Sequence, residues 1–407
     1  MTSDPTRRLT IVMTVLSVGL CAGACSNGAS GSGGSGGAAG SIGSGGATTG
    51  SAPGSGGSAT GGAPGSGGAP APDAASDANI DATGDRPSDA IGPALPGGAS
   101  GRTICPAGVG YSGMTPAMTG AITMGQGEIL ANAEGPVWMA SQGAFLFTAK
   151  MPGRDDIRRI GKFTMPGAVQ TFIKVSSGNT NLGNLGMTLD NDDQLLTADT
   201  QLSAVTRVDP VTGDTVETIA AQYMGRAFES PNDLIVRGDG NIYFSDPDNA
   251  NVLGPKPKTG NTAVYRIAPN QEISVLEIIG PETAQHTNDP NGVALSPDDN
   301  TLYFIITHRT QVKKFALGAD GAPVGASTVF ASKTGMTPDG MCVDCAGDVY
   351  VSTQAGVEVY DPAGNKLTTI GPAGAINCSF GGSDHQVLFV TAAPHVWWVN
   401  MNIPGLP

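Results

Sequence analysis

One short pattern occurs six times between residue 134 and the end of the chain, and it limits the possible folds more than any other feature of the sequence. Each copy has a polar residue, a short apolar run, a turn rich in Asp, Gly or Asn, and then an alternating strand with aromatics. The first three copies are Glu134-Gly135-Pro136-Val137-Trp138 leading to Phe145-Leu146-Phe147, Leu185-Gly186-Met187-Thr188-Leu189 leading to Leu195-Leu196-Thr197, and Asn232-Asp233-Leu234-Ile235-Val236 leading to Ile242-Tyr243-Phe244. The others are Asn291-Gly292-Val293-Ala294-Leu295 leading to Leu302-Tyr303-Phe304, Asp339-Gly340-Met341-Cys342-Val343 leading to Val349-Tyr350-Val351, and Asn377-Cys378-Ser379-Phe380 leading to Leu388-Phe389-Val390. The last residues of the second strands, at 147, 197, 244, 304, 351 and 390, are spaced about 50, 47, 60, 47 and 39 residues apart, which is the period of propeller blades. Second hairpins follow, as in Ala204-Val205-Thr206-Arg207-Val208-Asp209-Pro210 with Gly213 and Gly356-Val357-Glu358-Val359-Tyr360-Asp361-Pro362 with Gly364, where Pro and Gly sit at the turns. No stretch carries a convincing helical period. The expectation is an all-β, six-bladed β-propeller over residues 105–407, with the first strand of each unit lining the central channel. A plain β-sandwich would leave the equivalence of the units without a cause.

In a propeller the residue just before each innermost strand stands at one height around the axis. Those residues are read here as Glu134, Leu185, Asn232, Asn291, Asp339 and Asn377. Asn and Asp often begin strands simply as turn residues, but polar groups at all of these positions except Leu185 exceed what turns alone require. They offer oxygen donors without Cys or His, which suits a hard cation such as Ca2+ and suits Zn2+ poorly. Two facing carboxylates repel, and a divalent cation between them removes that repulsion.

The runs Glu134-Gly135-Pro136-Val137-Trp138, Ser230-Pro231-Asn232-Asp233, Pro290-Asn291-Gly292-Val293, Thr337-Pro338-Asp339-Gly340-Met341 and Asn377-Cys378-Ser379-Phe380-Gly381-Gly382 resemble, in order and spacing, the signature segments of the SMP-30/gluconolactonase family. The resemblance extends from about residue 120 to 407. It implies a six-bladed propeller that holds one divalent metal at the channel mouth, Ca2+ in the usual case and Mg2+, Mn2+ or Zn2+ as other occupants, and that hydrolyses lactones or related esters. Carried over by position, it implies Glu134, Asn291 and Asp339 as metal ligands, with Asn232 a fourth ligand or a substrate contact. Asp233 and Asn377 become further substrate contacts, and Asp339 the reactive carboxylate, acting as general base or as nucleophile. Three departures leave the metal set intact and put an aldonolactone substrate in doubt: Leu185 stands where relatives often carry Asn, Ser230 where some sugar-lactone relatives carry Arg, and Asp248-Asn249-Ala250-Asn251 replaces the usual aromatic-glycine run.

The first part of the chain has a different character. Arg7 and Arg8, the apolar stretch from Leu9 to Leu20, and Ala22-Gly23-Ala24-Cys25 have the layout of an export signal. They resemble a bacterial lipoprotein signal over residues 1–25, with Cys25 as the lipidated residue and Ala22 standing where Leu is usual. Residues 26–104 are Gly, Ser, Ala, Thr and Pro with scattered Asp, too polar and too small to form a core. Such a flexible coil of roughly 75 residues spans about 50 Å and reads as a disordered tether, which places the protein at the bacterial cell envelope. The anchor is expected on the outer membrane, with a secreted or periplasmic form if Cys25 is not lipidated. The formal charge is -14, from 21 Lys and Arg against 35 Asp and Glu, which argues against binding nucleic acid through its phosphates.

Beyond Cys25, four cysteines remain in the expected mature chain, in an exported and oxidising setting, and four allow three pairings. The reading adopted links Cys105 to Cys345 and leaves Cys342 and Cys378 as buried thiols. His286, five residues before Asn291, is a surface-loop histidine with a conceivable proton-shuttle role. No Gly-x-Ser-x-Gly context supports a serine hydrolase. The wide gap between 244 and 304 holds an insertion, Asp246 to Thr262, expected on the face of Asn232 and so expected to influence substrate choice. A non-catalytic propeller that binds a protein or glycan at the envelope is the competing function.

Overall fold

Alternating apolar residues and Asp-led turns fold each repeat into a four-stranded antiparallel sheet, and six such sheets make the propeller. The computed structural model describes residues 105, 110–125, 131–151, 154–164, 170–172, 184–248, 258–281, 289–332, 334–392 and 394–406. The expected signal with Cys25, the tether, His286 and most of the insertion after Asp248 lie outside these residues. Blade 1 comprises Ala131–Met139, Ala144–Met151, Arg154–Thr164 and Gln170–Phe172. Blade 2 comprises Asn184–Leu189, Leu195–Asp199, Ala204–Val208 and Thr215–Ala220. Blade 3 comprises Leu234–Val236, Ile242–Asp246, Asn261–Ile267 and Ile273–Pro281. Blade 4 comprises Val293–Leu295, Thr301–Ile306, Gln311–Ala316 and Thr328–Ser332. Blade 5 comprises Met341–Val343, Val349–Thr353, Gly356–Tyr360 and Lys366–Ile370.

Blade 6 is assembled from both parts of the domain. Its strands Ala375–Gly381, Val387–Ala392 and Val396–Asn400 take their fourth partner from Thr123–Met124, which pairs with Trp398 and Trp397. This pairing closes the ring, because it covers an outer edge that would otherwise offer unpaired backbone groups. The C-terminal segment adds a second tie. Leu406 N–H donates to Val343 O at 2.8 Å and Leu406 O accepts from Phe380 N–H at 3.3 Å, so the tail bridges the first strands of blades 5 and 6. Cys105 and Cys345 form a disulfide with a Cα–Cα separation of 5.4 Å, attaching the chain before the closing strand to blade 5.

The hairpin turns have a common local cause. Asp190, Asp209, Asp344 and Asp361 each accept, on Oδ1, the backbone N–H two residues ahead. That bond mimics a backbone turn, and in the last three of these turns a glycine follows at positive φ: Gly213, Gly347 and Gly364 at 74°, 86° and 88°. Second strands such as Leu195–Asp199 and Val349–Thr353 are wholly buried, whereas the outer strand Lys366–Ile370 buries only Ile370.

The core is divided among the seams between blades. Six hydrophobic clusters each join two neighbouring blades, the last joining Phe145, Phe147 and Phe163 of blade 1 to Phe389 and Val396 of blade 6. There Phe145 stacks on Phe389 with ring centroids 4.4 Å apart. Each fully buried Phe contributes on the order of 1.5–3 kcal/mol of transfer free energy, so the seams hold the innermost strands in fixed relative positions. Those strands carry the site.

Candidate metal centre

The backbone register shows which residues share one level around the axis. Asn232 N–H donates to Ser245 O at 2.9 Å, Asn291 N–H to Ile305 O at 3.0 Å and Asp339 N–H to Ser352 O at 3.0 Å, the same bond in three consecutive blades. Neighbouring blades are then tied directly: Gly186 N–H donates to Asn232 O at 2.6 Å, Gly292 N–H to Asp339 O at 2.9 Å and Gly340 N–H to Ile376 O at 2.8 Å. In blade 1, Glu134 lies opposite Thr148, whose hydroxyl donates to Leu185 O of blade 2 at 3.0 Å. The level therefore holds Glu134, Leu185, Asn232, Asn291, Asp339 and Ile376.

This corrects the sixth member of the expected ring. Gly340 N–H donates to Ile376 O as Gly186 N–H does to Asn232 O and Gly292 N–H to Asp339 O, so Ile376 takes the upper position and Asn377 lies one layer below. The oxygen donors at the mouth are thus Glu134, Asn232, Asn291 and Asp339, with the three from blades 3, 4 and 5 adjacent and Leu185 and Ile376 as apolar gaps. Asn291 is buried, and the other three are half-buried.

The layer beneath is made of glycines except in two opposite blades. Gly135, Gly186, Gly292 and Gly340 hold the positions of blades 1, 2, 4 and 5, and Asp233 and Asn377 those of blades 3 and 6. The glycines are required by proximity. A Cβ on Gly292 would stand 2.5 Å from Asp339 O, and one on Gly186 2.4 Å from Asp233 Oδ1. Asp233 Oδ1 accepts Leu234 N–H and Oδ2 accepts Val293 N–H, each at 3.0 Å, so its carboxylate supplies the tie from blade 3 to blade 4. Burial pushes the Asp233 carboxyl up to about 7, with those two amide hydrogen bonds acting in the other direction. Asn377 Oδ1 accepts Cys378 N–H at 2.8 Å in a matching arrangement. Below this layer the channel continues between Met187, Leu234, Val293, Met341, Cys342 and Cys378, with Leu406 also on its wall. Asp233 and Asn377 thus lie between the polar mouth and the channel below, whose lining also includes Thr188 and Asp299.

Several neighbours were not visible as functional residues in the sequence. His308 follows the second strand of blade 4, and its Nδ1 pairs with the fully buried Asp289 carboxylate, while its backbone N–H donates to Asp289 Oδ1 at 3.1 Å. Continuing the hairpin past Asn291 and Gly292, both bonded to Ile305, brings 289 to within about one residue of 308 across the strands. The pair fixes the chain two residues before Asn291. Thr307 Oγ1 donates to Pro338 O at 2.8 Å, holding the residue before Asp339. In blade 3, Asp246 accepts the N–H groups of Glu229 and Ser230 at 2.9 and 2.7 Å, and Ser230 Oγ turns to Pro247 O. Burial first, and Glu229 beside it, push the Asp246 carboxyl well above the usual carboxylate range. Ser230 is fully buried, so the position that carries Arg in some sugar-lactone relatives presents no side chain to the mouth.

The donor set fits a hard divalent cation. Two carboxylates and two amides share one level on strands tied by interblade hydrogen bonds, and all four offer oxygen donors, the kind such a cation takes. Among the described residues no three His, Cys, Asp or Glu side chains gather into a metal-ligand group, and the present set has two carboxylates completed by two amides.

Residues 132–394 match the family described as the SMP-30/Gluconolactonase/LRE-like region. The chain is 30% identical over 297 residues to a gluconolactonase of Zymomonas mobilis, covering 66% of this chain and 79% of that one. Among solved structures, a gluconolactonase of Xanthomonas campestris aligns with a TM-score of 0.55 at 29% identity, covering 67% of this chain and 86% of that one. A calcium-binding protein, regucalcin, of Agrobacterium tumefaciens has the same fold, with a TM-score of 0.52 at 19% identity over 68% of this chain and 92% of that one. With the propeller and the order of its mouth residues, the match over most of the folded part settles the lineage: the chain belongs to the SMP-30/gluconolactonase/LRE-like family of lactonase-type hydrolases.

Proposed function

We propose that this protein is a Ca2+-dependent lactonase or esterase held at the bacterial cell envelope by a lipid on Cys25. The observation that carries the catalytic part is the level shared by Glu134, Asn232, Asn291 and Asp339 on strands of four blades. A scaffold that only binds a protein or glycan has no need to bring two carboxylates together there. The gluconolactonase relatives support the reaction class, and the calcium-binding protein of the same fold supports the choice of ion.

Glu134, Asn291 and Asp339 would hold the cation, and Asn232 would complete the set or bind substrate. When bound, a divalent cation polarises the lactone carbonyl and stabilises the negative charge developing on its oxygen. Asp339 either takes a proton from the attacking water or attacks the carbonyl carbon itself. In the second role, the amide of Asn232 would donate to a ring oxygen or hydroxyl of the substrate. Asp233 and Asn377 close the floor below and keep the ligand-bearing strands in register.

Metal analysis of the purified protein, joined to hydrolysis of a panel of lactones, tests this reading. One bound divalent ion per chain and turnover of at least one lactone are expected. A stoichiometric metal with no hydrolysis across lactones and simple esters would favour the binding propeller instead.

A further inference from the structure

The innermost strands of blades 5 and 6 carry two thiols that the lactonase chemistry does not use. Cys342 Sγ and Cys378 Sγ are 2.9 Å apart, and both residues are buried, at 5% and 3% exposure, on the wall of the central channel. Above them the strands are joined by the bond from Gly340 N–H to Ile376 O, and below them the tail bridges Val343 O to Phe380 N–H through Leu406. The sulfurs therefore approach between two fixed points of the backbone. A disulfide bond measures about 2.03–2.05 Å, so a small rotation of the side chains would complete it.

We propose that Cys342 and Cys378 form a second disulfide in the mature protein, a staple between blades 5 and 6 beneath the layer of Gly340 and Asn377. The oxidant is a low-molecular-weight disulfide such as oxidised glutathione, or a protein disulfide of the same chemistry, acting while the chain folds. Cys342 and Cys378 give up their two thiol protons as the Sγ–Sγ bond forms. The two electrons reduce the oxidant's disulfide to two thiols, which take up those protons. The Cys105–Cys345 bridge already requires an environment of this kind. In the folded chain burial pushes the Cys342 thiol well up, so reduced Cys342 is a poor nucleophile and reacts slowly with outside thiols and disulfides. The inference does not depend on the lactonase reading, since it concerns bond connectivity alone.

The test is a non-reducing peptide map of the full chain, refolded in a reduced and oxidised glutathione mixture and alkylated under denaturing conditions. Cys342 and Cys345 can be told apart because cleavage before Asp344 separates them. A peptide with Cys342 joined to one with Cys378 is the expected result. Cys342 and Cys378 both alkylated beside an intact Cys105–Cys345 bridge, or Cys342 joined to any other partner, would overturn it. A Cys105→Ser/Cys345→Ser double variant provides a second measurement and should show no alkylatable thiol at 342 or 378 until reductant is added. Two free thiols in a folded double variant would count against the proposal, and if that variant does not fold the wild-type map decides alone.

Discussion

Replacing Gly292 by Ala should damage the site while leaving every proposed ligand side chain in place. The added Cβ would stand 2.5 Å from Asp339 O and 2.9 Å from Gly340 Cα, where ordinary contact begins at 3.4 Å. The opposing atoms are backbone, so they cannot rotate away; blade 5 has to move by roughly 0.9 Å, or blade 4 by a similar amount. Overpacking of this kind costs on the order of 1–3 kcal/mol of stability. The larger effect falls on the metal, because ligand distances tolerate only about 0.2 Å and the shift separates Asn291 from Asp339. A loss of about 10–100-fold in Ca2+ affinity is expected, the usual size for a disturbed support around a metal. Isothermal titration with Ca2+ measures it, alongside a thermal melt and a Gly120→Ala control, since a Cβ at Gly120 meets nothing within 4 Å. A Gly292→Ala protein that binds Ca2+ with parental affinity would refute the idea that close packing of blades 4 and 5 sets the ligand geometry.

Three other outcomes can be checked separately. Burial raises the carboxyls of Asp344 and Asp348 to about 6 and about 7, with Asp344 a further cause for Asp348, so the folded chain keeps protons that the unfolded chain releases. Stability should therefore fall as pH rises from about 4 to about 7, and Asp348→Asn should flatten that slope in urea melts; an unchanged slope would contradict the assignment. Lipidation of Cys25 should send the full chain to membrane fractions, and Cys25→Ser should release it or leave its signal uncleaved; a soluble wild-type protein with an unmodified mature N-terminus would count against the anchor. Shortening the segment between Asp246 and Thr262 to a tight turn should change the ranking of lactone substrates with little change in Ca2+ affinity, and unchanged rates and ranking would move specificity elsewhere on the mouth.

What could be read in the sequence followed from how much each element buries. First and second strands announce themselves because their apolar residues and Asp-Gly turns recur with one period, and they carry Glu134, Asn232, Asn291 and Asp339 at equivalent positions. Outer strands such as Lys366–Ile370 leave four of five residues exposed and give no apolar signal. The closing strand Thr123–Met124 is two residues long and exposed, so only its pairing with Trp397 and Trp398 reveals it. Asn377 lies one layer below the mouth because Ile376 carries the carbonyl that accepts Gly340 N–H, an interblade bond with no marker in the sequence of blade 6 alone. The contact between Cys342 and Cys378 belongs to the seam between two blades, which sequence spacing does not report.

If Glu134, Asn232, Asn291 and Asp339 form a metal-dependent hydrolytic site, one titration reveals it. Initial rates of hydrolysis of a lactone substrate are measured against free Ca2+ after chelation, for the parent chain and for Glu134→Gln and Asp339→Asn. The parent should rise from near zero to a plateau. Glu134→Gln should require far more Ca2+, because an amide only partly replaces a charged ligand, and Asp339→Asn should stay near zero at any concentration. Hydrolysis by the parent that persists unchanged in chelator, or an Asp339→Asn curve that overlays the parent's, would contradict the account.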